Sequence, residues 1–185
     1  MESTLNELID KCKLKDRKAQ ETIFKSYYND FMKICIRYAS DKQSANEILN
    51  DSFLKIFTKI DDYSGIGSFE GWMRKIVVNT CLLHIRSNKN YSKNIVRKED
   101  GDVTIFSKSH INNEAISKLN MNELSQLIQS LPKMSRAVFN LSVFEGFTHK
   151  EIAKTMSISE GTSHWHLNYA REYLKSRIKK FNHDK

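Results

Sequence analysis

Apolar residues fall at Phe24, Tyr27, Tyr28, Phe31, Ile34, Cys35 and Tyr38, a three-and-four spacing that stacks side chains on one face of an α-helix. A second set, Ile48, Leu49, Phe53, Ile56, Phe57 and Ile60, predicts another helix by the same spacing. The run 61–68 follows, with Gly65, Gly67 and several turn formers, and reads as a loop. A third helix is predicted from about Phe69 to Arg86. Between Ser87 and Asn113 only scattered apolar residues interrupt a polar stretch, which is linker composition. Periodicity resumes at Ile116, Leu119, Leu124, Leu127, Ile128 and Leu131, and Pro132, the only proline, punctuates it. Val138, Phe139, Leu141 and Phe144 then begin a helix that ends at Gly146. No segment alternates apolar and polar residues for long enough to predict a sheet. The expected fold is all-α: two small helical domains, 1–88 and 113–185, joined by a flexible linker over 89–112.

The second domain carries a recognisable helix pair. Thr148 with Glu151 three residues on is a capping box, in which each side chain satisfies an otherwise unpaired amide of the other's end. Ala153 is small enough for a second helix to cross closely, Ser157-Ile158 makes the turn with Ile158 facing the core, and Ser159 caps the next helix. This is the spacing of a helix-turn-helix, whose second helix enters the major groove of DNA. At about 100° per residue, Leu167, Ala170, Leu174 and Ile178 form that helix's buried stripe. His164, Trp165, Asn168 and Tyr169 fall opposite it, with Arg171 and Lys175 at the edge. Donors and acceptors there can read base edges while the flanking bases hold phosphates. His164 and His166 stand two residues apart and face different directions, which argues against a zinc pair.

The distribution of charge sharpens the picture more than its total. The 185-residue chain carries a formal charge of +8, which suits a polyanionic partner. Residues 41–70 hold six acids and three bases, 71–98 seven bases and no acid, and 171–185 six bases and two acids. An acidic helix therefore lies between segments suited to phosphate. Cys12, Cys35 and Cys81 stand far apart with no C-x-x-C pair, the usage of a reduced, cytoplasmic compartment. No apolar run is long enough for a membrane span, and the N-terminus shows no secretory signal. There is no glycine-rich phosphate loop, no H-E-x-x-H and no cysteine with a local partner, so neither catalysis, cofactor nor metal is expected.

Leu131-Pro132, Arg136-Ala137-Val138-Phe139, Glu145-Gly146, Glu151-Ile152-Ala153, Ser159-Glu160-Gly161-Thr162 and Tyr169-Ala170-Arg171 occur in that order. With the segments 45–57 and 67–79, they resemble the extracytoplasmic-function branch of the sigma-70 family of bacterial RNA polymerase factors. The likeness covers roughly residues 20–88 and 120–178. It implies that 1–88 is sigma region 2 and 113–185 is sigma region 4. It implies binding to core RNA polymerase, at the β′ clamp helices and the β flap, and to promoter DNA, with an anti-sigma factor as a further partner. The residues it marks for polymerase docking are Glu47, Asn50, Asp51, Phe53 and Lys55. For the −10 element it implies the loop at 61–69, with Tyr63, and Asn79, to which helical spacing adds Trp72, Lys75 and Arg86. For the −35 element the likeness implies the second helix of the pair, on which helical spacing makes His164, Trp165, Asn168, Tyr169, Arg171 and Lys175 the candidates.

Helical spacing offers partial support for these roles. Glu47 and Asp51 lie four apart on one face beside Asn50, although an i,i+4 pair of Asp51 with Lys55 explains the charges as well. Trp72, Lys75, Asn79, Leu82 and Arg86 form one stripe of the third helix, with Ile76, Val77 and Leu83 towards the core. Such a stripe suits unpaired DNA, bases holding the backbone and an aromatic or loop pocket receiving a flipped base. The chain departs from the family pattern where Lys or Arg often follows Gly-Thr-Val: Ser163-His164-Trp165-His166 stands there instead. Two rival readings are a stand-alone helix-turn-helix regulator, which leaves the acidic face and the Trp72 stripe without use, and a sigma mimic sequestering an anti-sigma protein, which has no need of the bases retained at 71–98 and 171–180.

Overall fold

The structure is a computed structural model that describes residues 2–87 and 121–183. Every regular element among them is helical, and the chain divides into two compact units between His84 and Ile85. The expected linker at 89–112, and Ile116 and Leu119 of the predicted stripe, lie outside the described residues.

The first unit is built from α1 (Glu2–Lys13), α2 (Arg17–Tyr38), α3 (Lys42–Thr58), a single 3-10 turn (Ile60–Asp62) and α4 (Phe69–Ser87), whose last turn runs past the division. The first of these helices was not expected from the pattern; Ile9 and Cys12 on its inner face are buried. Asp16 starts α2 by accepting from the Ala19 amide at 2.8 Å, and Asp41 starts α3 by accepting from the Ser44 amide at 2.7 Å. The Ser44 amide, and then the Ser44 and Ser40 hydroxyls, hold the Asp41 carboxyl below the usual carboxylate range. α2 packs on both α1 and α3. Between α2 and α3 lies a ring cluster in which Phe53 meets Phe24 at 4.6 Å and Phe31 at 5.8 Å between centroids. Full burial of each large apolar side chain in such a core contributes about 1.5–3 kcal/mol.

α4 buries Phe69, Met73, Val77, Val78, Cys81 and Leu82. The helix phase corrects one expectation: Leu82 is 2% exposed whereas Leu83 is 52% exposed. The exposed line of α4 runs from Lys75 through Asn79 to Leu83, so Leu82 belongs to the core and Leu83 to the surface.

The second unit contains α5 (Met121–Gln129), α6 (Lys133–Val143), α7 (His149–Met156) and α8 (Glu160–His183). α8 is its spine: α5, α6 and α7 all pack against it. Leu167, Ala170, Leu174 and Ile178 are buried along one stripe, as the spacing predicts. Arg136 on α6 is buried as well, and its Nη1 donates to the Gln129 carbonyl at 2.7 Å, satisfying an acceptor at the end of α5. Desolvation lowers the pKa of that guanidinium, which still remains charged.

The α6–α7 junction follows the sequence closely. α6 stops at Val143, and Gly146 takes a φ of 71°, a left-handed conformation that a glycine adopts without strain. The capping box forms: the Glu151 amide donates to Thr148 Oγ1 at 3.3 Å and the Thr148 amide donates to Glu151 Oε2 at 2.8 Å. The same amide, and then the Thr148 hydroxyl, hold the Glu151 carboxyl below its ordinary range. Ser157 ends α7 at φ 55°, and Ile158 is half-buried. Replacing Thr148 by Ala should destabilise the second unit by about 1 kcal/mol, and replacing it by Ser should cost far less. Urea unfolding followed by Trp165 fluorescence in a Trp72→Phe background checks this.

Candidate polymerase and nucleic-acid interfaces

On α3 the inward residues are Ala45, Ile48, Leu49, Ser52, Phe53 and Ile56, all buried. Glu47, Asn50, Asp51 and Leu54 are exposed on the other side. Two residues marked for polymerase docking do not share that face. Phe53 is 3% exposed because its ring fills the space between α2 and α3. Lys55 is half-buried, and its Nζ donates to Thr80 Oγ1 of α4 at 3.3 Å, so it joins two helices where an ion pair with Asp51 was the alternative. Both residues stand beside outward ones in sequence, yet a helix turns them inward. Leu54, 68% exposed, takes their place as the apolar member of an otherwise acidic surface. The pattern held a signal for it, since it falls four residues after Asn50 and outside the buried stripe.

The 61–68 segment closes on itself. Tyr63 Oη donates to the Gly67 carbonyl at 2.8 Å, and Gly65 and Gly67 both have positive φ. The Tyr63 ring lies 5.1 Å from Phe69 and 5.6 Å from Trp72, and Phe69 stacks with Trp72 at 5.7 Å. Phe69 is buried and anchors the group, whereas Tyr63 and Trp72 are half-buried. Ile66 projects from the turn, 87% exposed. One turn further along α4, Lys75 and Asn79 are exposed side by side, and Arg86, half-buried, lies near the helix end. The structure therefore gathers Tyr63 and Trp72 into one aromatic cluster and continues it with Lys75 and Asn79 along α4.

On α8, Ser159 Oγ accepts from the Thr162 amide at 3.0 Å and fixes the helix start. Two further bonds fix how α8 is rotated. Ser163, fully buried, places its Oγ 2.8 Å from Nδ1 of His149 on α7. Ser135 of α6 places its Oγ 3.0 Å from Nδ1 of His166. The opposite side is left to solvent: His164, Trp165, Asn168 and Arg171 are exposed and Tyr169 is half-buried. Trp165 and Tyr169 stack at 5.4 Å, Tyr169 and Tyr173 at 6.1 Å, and the Arg177 guanidinium lies 5.3 Å from the Tyr173 ring centre. Lys175 is drawn to Glu172 at 2.6 Å and so begins with a partner. His149 was given no role by the sequence, because only folding brings it against His164, with ring centroids 3.5 Å apart.

Among the described residues no cluster of three His, Cys, Asp or Glu is placed to hold a metal, and no helix is long and apolar enough to cross a membrane. The described surfaces comprise an acidic and apolar face on α3, an aromatic and basic face on α4, and an aromatic, imidazole and basic face on α8.

Comparison with known proteins gives these surfaces a context. The family model for sigma-70 region 2 matches residues 23–91, and that for sigma-70 region 4 matches residues 121–174. The chain is 23% identical over 180 residues to the RNA polymerase sigma-H factor of Pseudomonas aeruginosa, covering 91% of this chain and 90% of that protein. It is 24% identical over 186 residues to the ECF RNA polymerase sigma factor SigW of Bacillus subtilis, covering 97% and 99%. Among solved structures it is similar in fold to the sigma factor RpoE of Bartonella quintana, crystallised with the anti-sigma factor NepR. That likeness has a TM-score of 0.53 at 16% identity and covers 86% of this chain and 96% of that one. With the two region models matching in order on its two units and relatives of one class along nearly its whole length, the chain belongs to the extracytoplasmic-function branch of the sigma-70 family, an RNA polymerase sigma factor that directs transcription initiation.

Proposed function

We propose that the two units divide promoter-specific initiation between them. The first docks on core polymerase through Glu47, Asn50, Asp51 and Leu54 of α3, and takes the opened −10 strand along Tyr63, Trp72, Lys75 and Asn79, with Arg86 beyond. The second holds the −35 duplex with His164, Trp165, Asn168, Tyr169 and Arg171 of α8. Lys175 joins only if it exchanges Glu172 for a phosphate. A domain boundary near residue 88 and a tether over 89–112 fit this division. The observation that carries the reading is that α3, α4 and α8 each bury an apolar stripe and leave a chemically distinct one exposed.

The acidic face of α3 complements a basic coiled coil such as the β′ clamp helices, with Leu54 giving apolar contact at its centre. The second unit would meet the β flap. Opening the duplex needs no covalent step, only tighter binding of the melted strand than of the paired one, which Tyr63 and Trp72 supply by stacking and Lys75 by charge. An anti-sigma factor is a fitting regulator, and the similar fold of Bartonella RpoE was solved with one bound. The work is that of a cytoplasmic factor, not of a catalyst.

Run-off transcription with purified core enzyme on genomic fragments should yield discrete start sites that depend on this chain; starts identical with and without it would overturn the reading. Reversing Glu47 and Asp51 to Lys together should weaken binding to core polymerase at least tenfold, measured by anisotropy of a labelled chain. Undiminished affinity would place docking elsewhere. Lys75→Ala and Arg171→Ala should each lower the slope of log affinity against log salt for promoter binding by holoenzyme by about one. A slope unchanged in either variant would take that residue off the phosphates.

A further inference from the structure

His149 and His164 stand on the two helices of the helix-turn-helix with their ring planes 27° from parallel and centroids 3.5 Å apart. The stack is built rather than accidental. His149 opens α7 immediately after the Thr148 cap, and its Nδ1 is bonded to the buried Ser163 hydroxyl at 2.8 Å. That bond fixes the ring against α8, where His164 directly follows Ser163. The neighbouring His166 is bonded instead to Ser135 of α6. The stacked pair therefore sits at the start of α8, level with exposed Trp165 and Asn168.

Imidazole is the side chain that ordinarily changes charge between pH 5 and 8. At this distance a charge on His164 opposes one on His149. Burial, then His164 and Arg171, hold the His149 imidazole below its ordinary range, while Glu160 acts the other way. On α6, which also packs on α7, the charged groups are Lys133 at its start and buried Arg136, turned to the Gln129 carbonyl; neither supplies a negative charge to the pair. Glu145 lies in the connection between α6 and α7. The free chain thus disfavours a cation on His149 at neutral pH, and an incoming phosphate would reverse that preference.

We propose that His149 and His164 together form a two-helix phosphate-binding element that takes up one proton as the helix pair seats on duplex DNA, so that upstream-element affinity rises as pH falls. This rests on the reading of α8 as the DNA-facing helix. It adds His149 to that face as a contributing residue from the other helix. The sign follows from linkage: DNA raises the pair's proton affinity, so the bound state holds more protons and acid strengthens the complex. The gain is confined to the interval between the pair's free and DNA-bound proton affinities.

The test uses full-length chain with core polymerase and a fluorescent duplex selected from a randomised pool by that holoenzyme, at constant ionic strength. Affinity should rise about tenfold from pH 8 to pH 6, the order expected for uptake of one proton. His164→Lys, an exposed substitution that carries its charge permanently, should bind at pH 8 about as tightly as the natural chain at pH 6 and lose most of the pH dependence. The double variant His149→Gln, His164→Gln should also be flat but weak throughout. A flat profile for the natural chain, or a slope that survives in His164→Lys, overturns the proposal. Trp165→Ala and Arg171→Ala separate the underlying reading: if neither weakens binding at any pH, α8 is not the DNA face and both ideas fall. If they weaken it while the slope survives His164→Lys, only the histidine assignment fails.

Discussion

A helix that buries one stripe must leave the opposite one in water, and both units of this chain are organised around that constraint. Burial of Phe53 between α2 and α3 sets the rotation of α3, and that rotation puts Glu47, Asn50, Asp51 and Leu54 outside. Burial of Leu167, Ala170, Leu174 and Ile178 does the same for α8 and exposes His164, Trp165, Asn168 and Arg171. The exposed faces proposed for recognition are thus consequences of core packing, because a helix displaced by one residue turns each side chain by about 100°.

Hydrophobic burial alone is not directional enough to hold such rotations. The second unit supplements it with polar bonds between helices, Ser163 to His149 and Ser135 to His166, each joining α8 to a different neighbour. The capping box at Thr148 fixes where α7 begins and so where His149 stands. The first unit uses Lys55 to Thr80 for the same purpose between α3 and α4, and Tyr63 to Gly67 to shape the turn before α4. Ser163, Ser135, Lys55 and Thr80 lie beside the proposed surfaces without belonging to them, whereas Tyr63 and His149 are held by such bonds and also belong to them.

Much of this was legible in the sequence. The buried stripe of α8, the capping box and the glycine after α6 follow from spacing and local backbone chemistry, and the structure places each as expected. The misses have a common cause. Leu82 and Leu83 are both apolar neighbours, so pattern alone does not say which one faces inward, and a small drift in helix phase exchanged them. Phe53 and Lys55 were gathered with Asp51 because a family motif is contiguous in sequence, whereas a helical face is not. α1 escaped notice because its short apolar stripe, seen in buried Ile9 and Cys12, is interrupted by charge on every side. The His149–His164 stack joins residues on two helices, a proximity that no local spacing encodes.

The central claim is that the two units engage different partners through surfaces fixed by their own cores. Hydroxyl-radical footprinting of side chains on the full chain tests it most directly, comparing the chain alone, with core polymerase, and with polymerase and promoter DNA. Core polymerase alone should protect Leu54 and leave Trp165 reactive, and added promoter DNA should then protect Trp165 and Tyr63. Leu54 reacting equally with and without polymerase, or Trp165 unaffected by promoter DNA, would contradict the account.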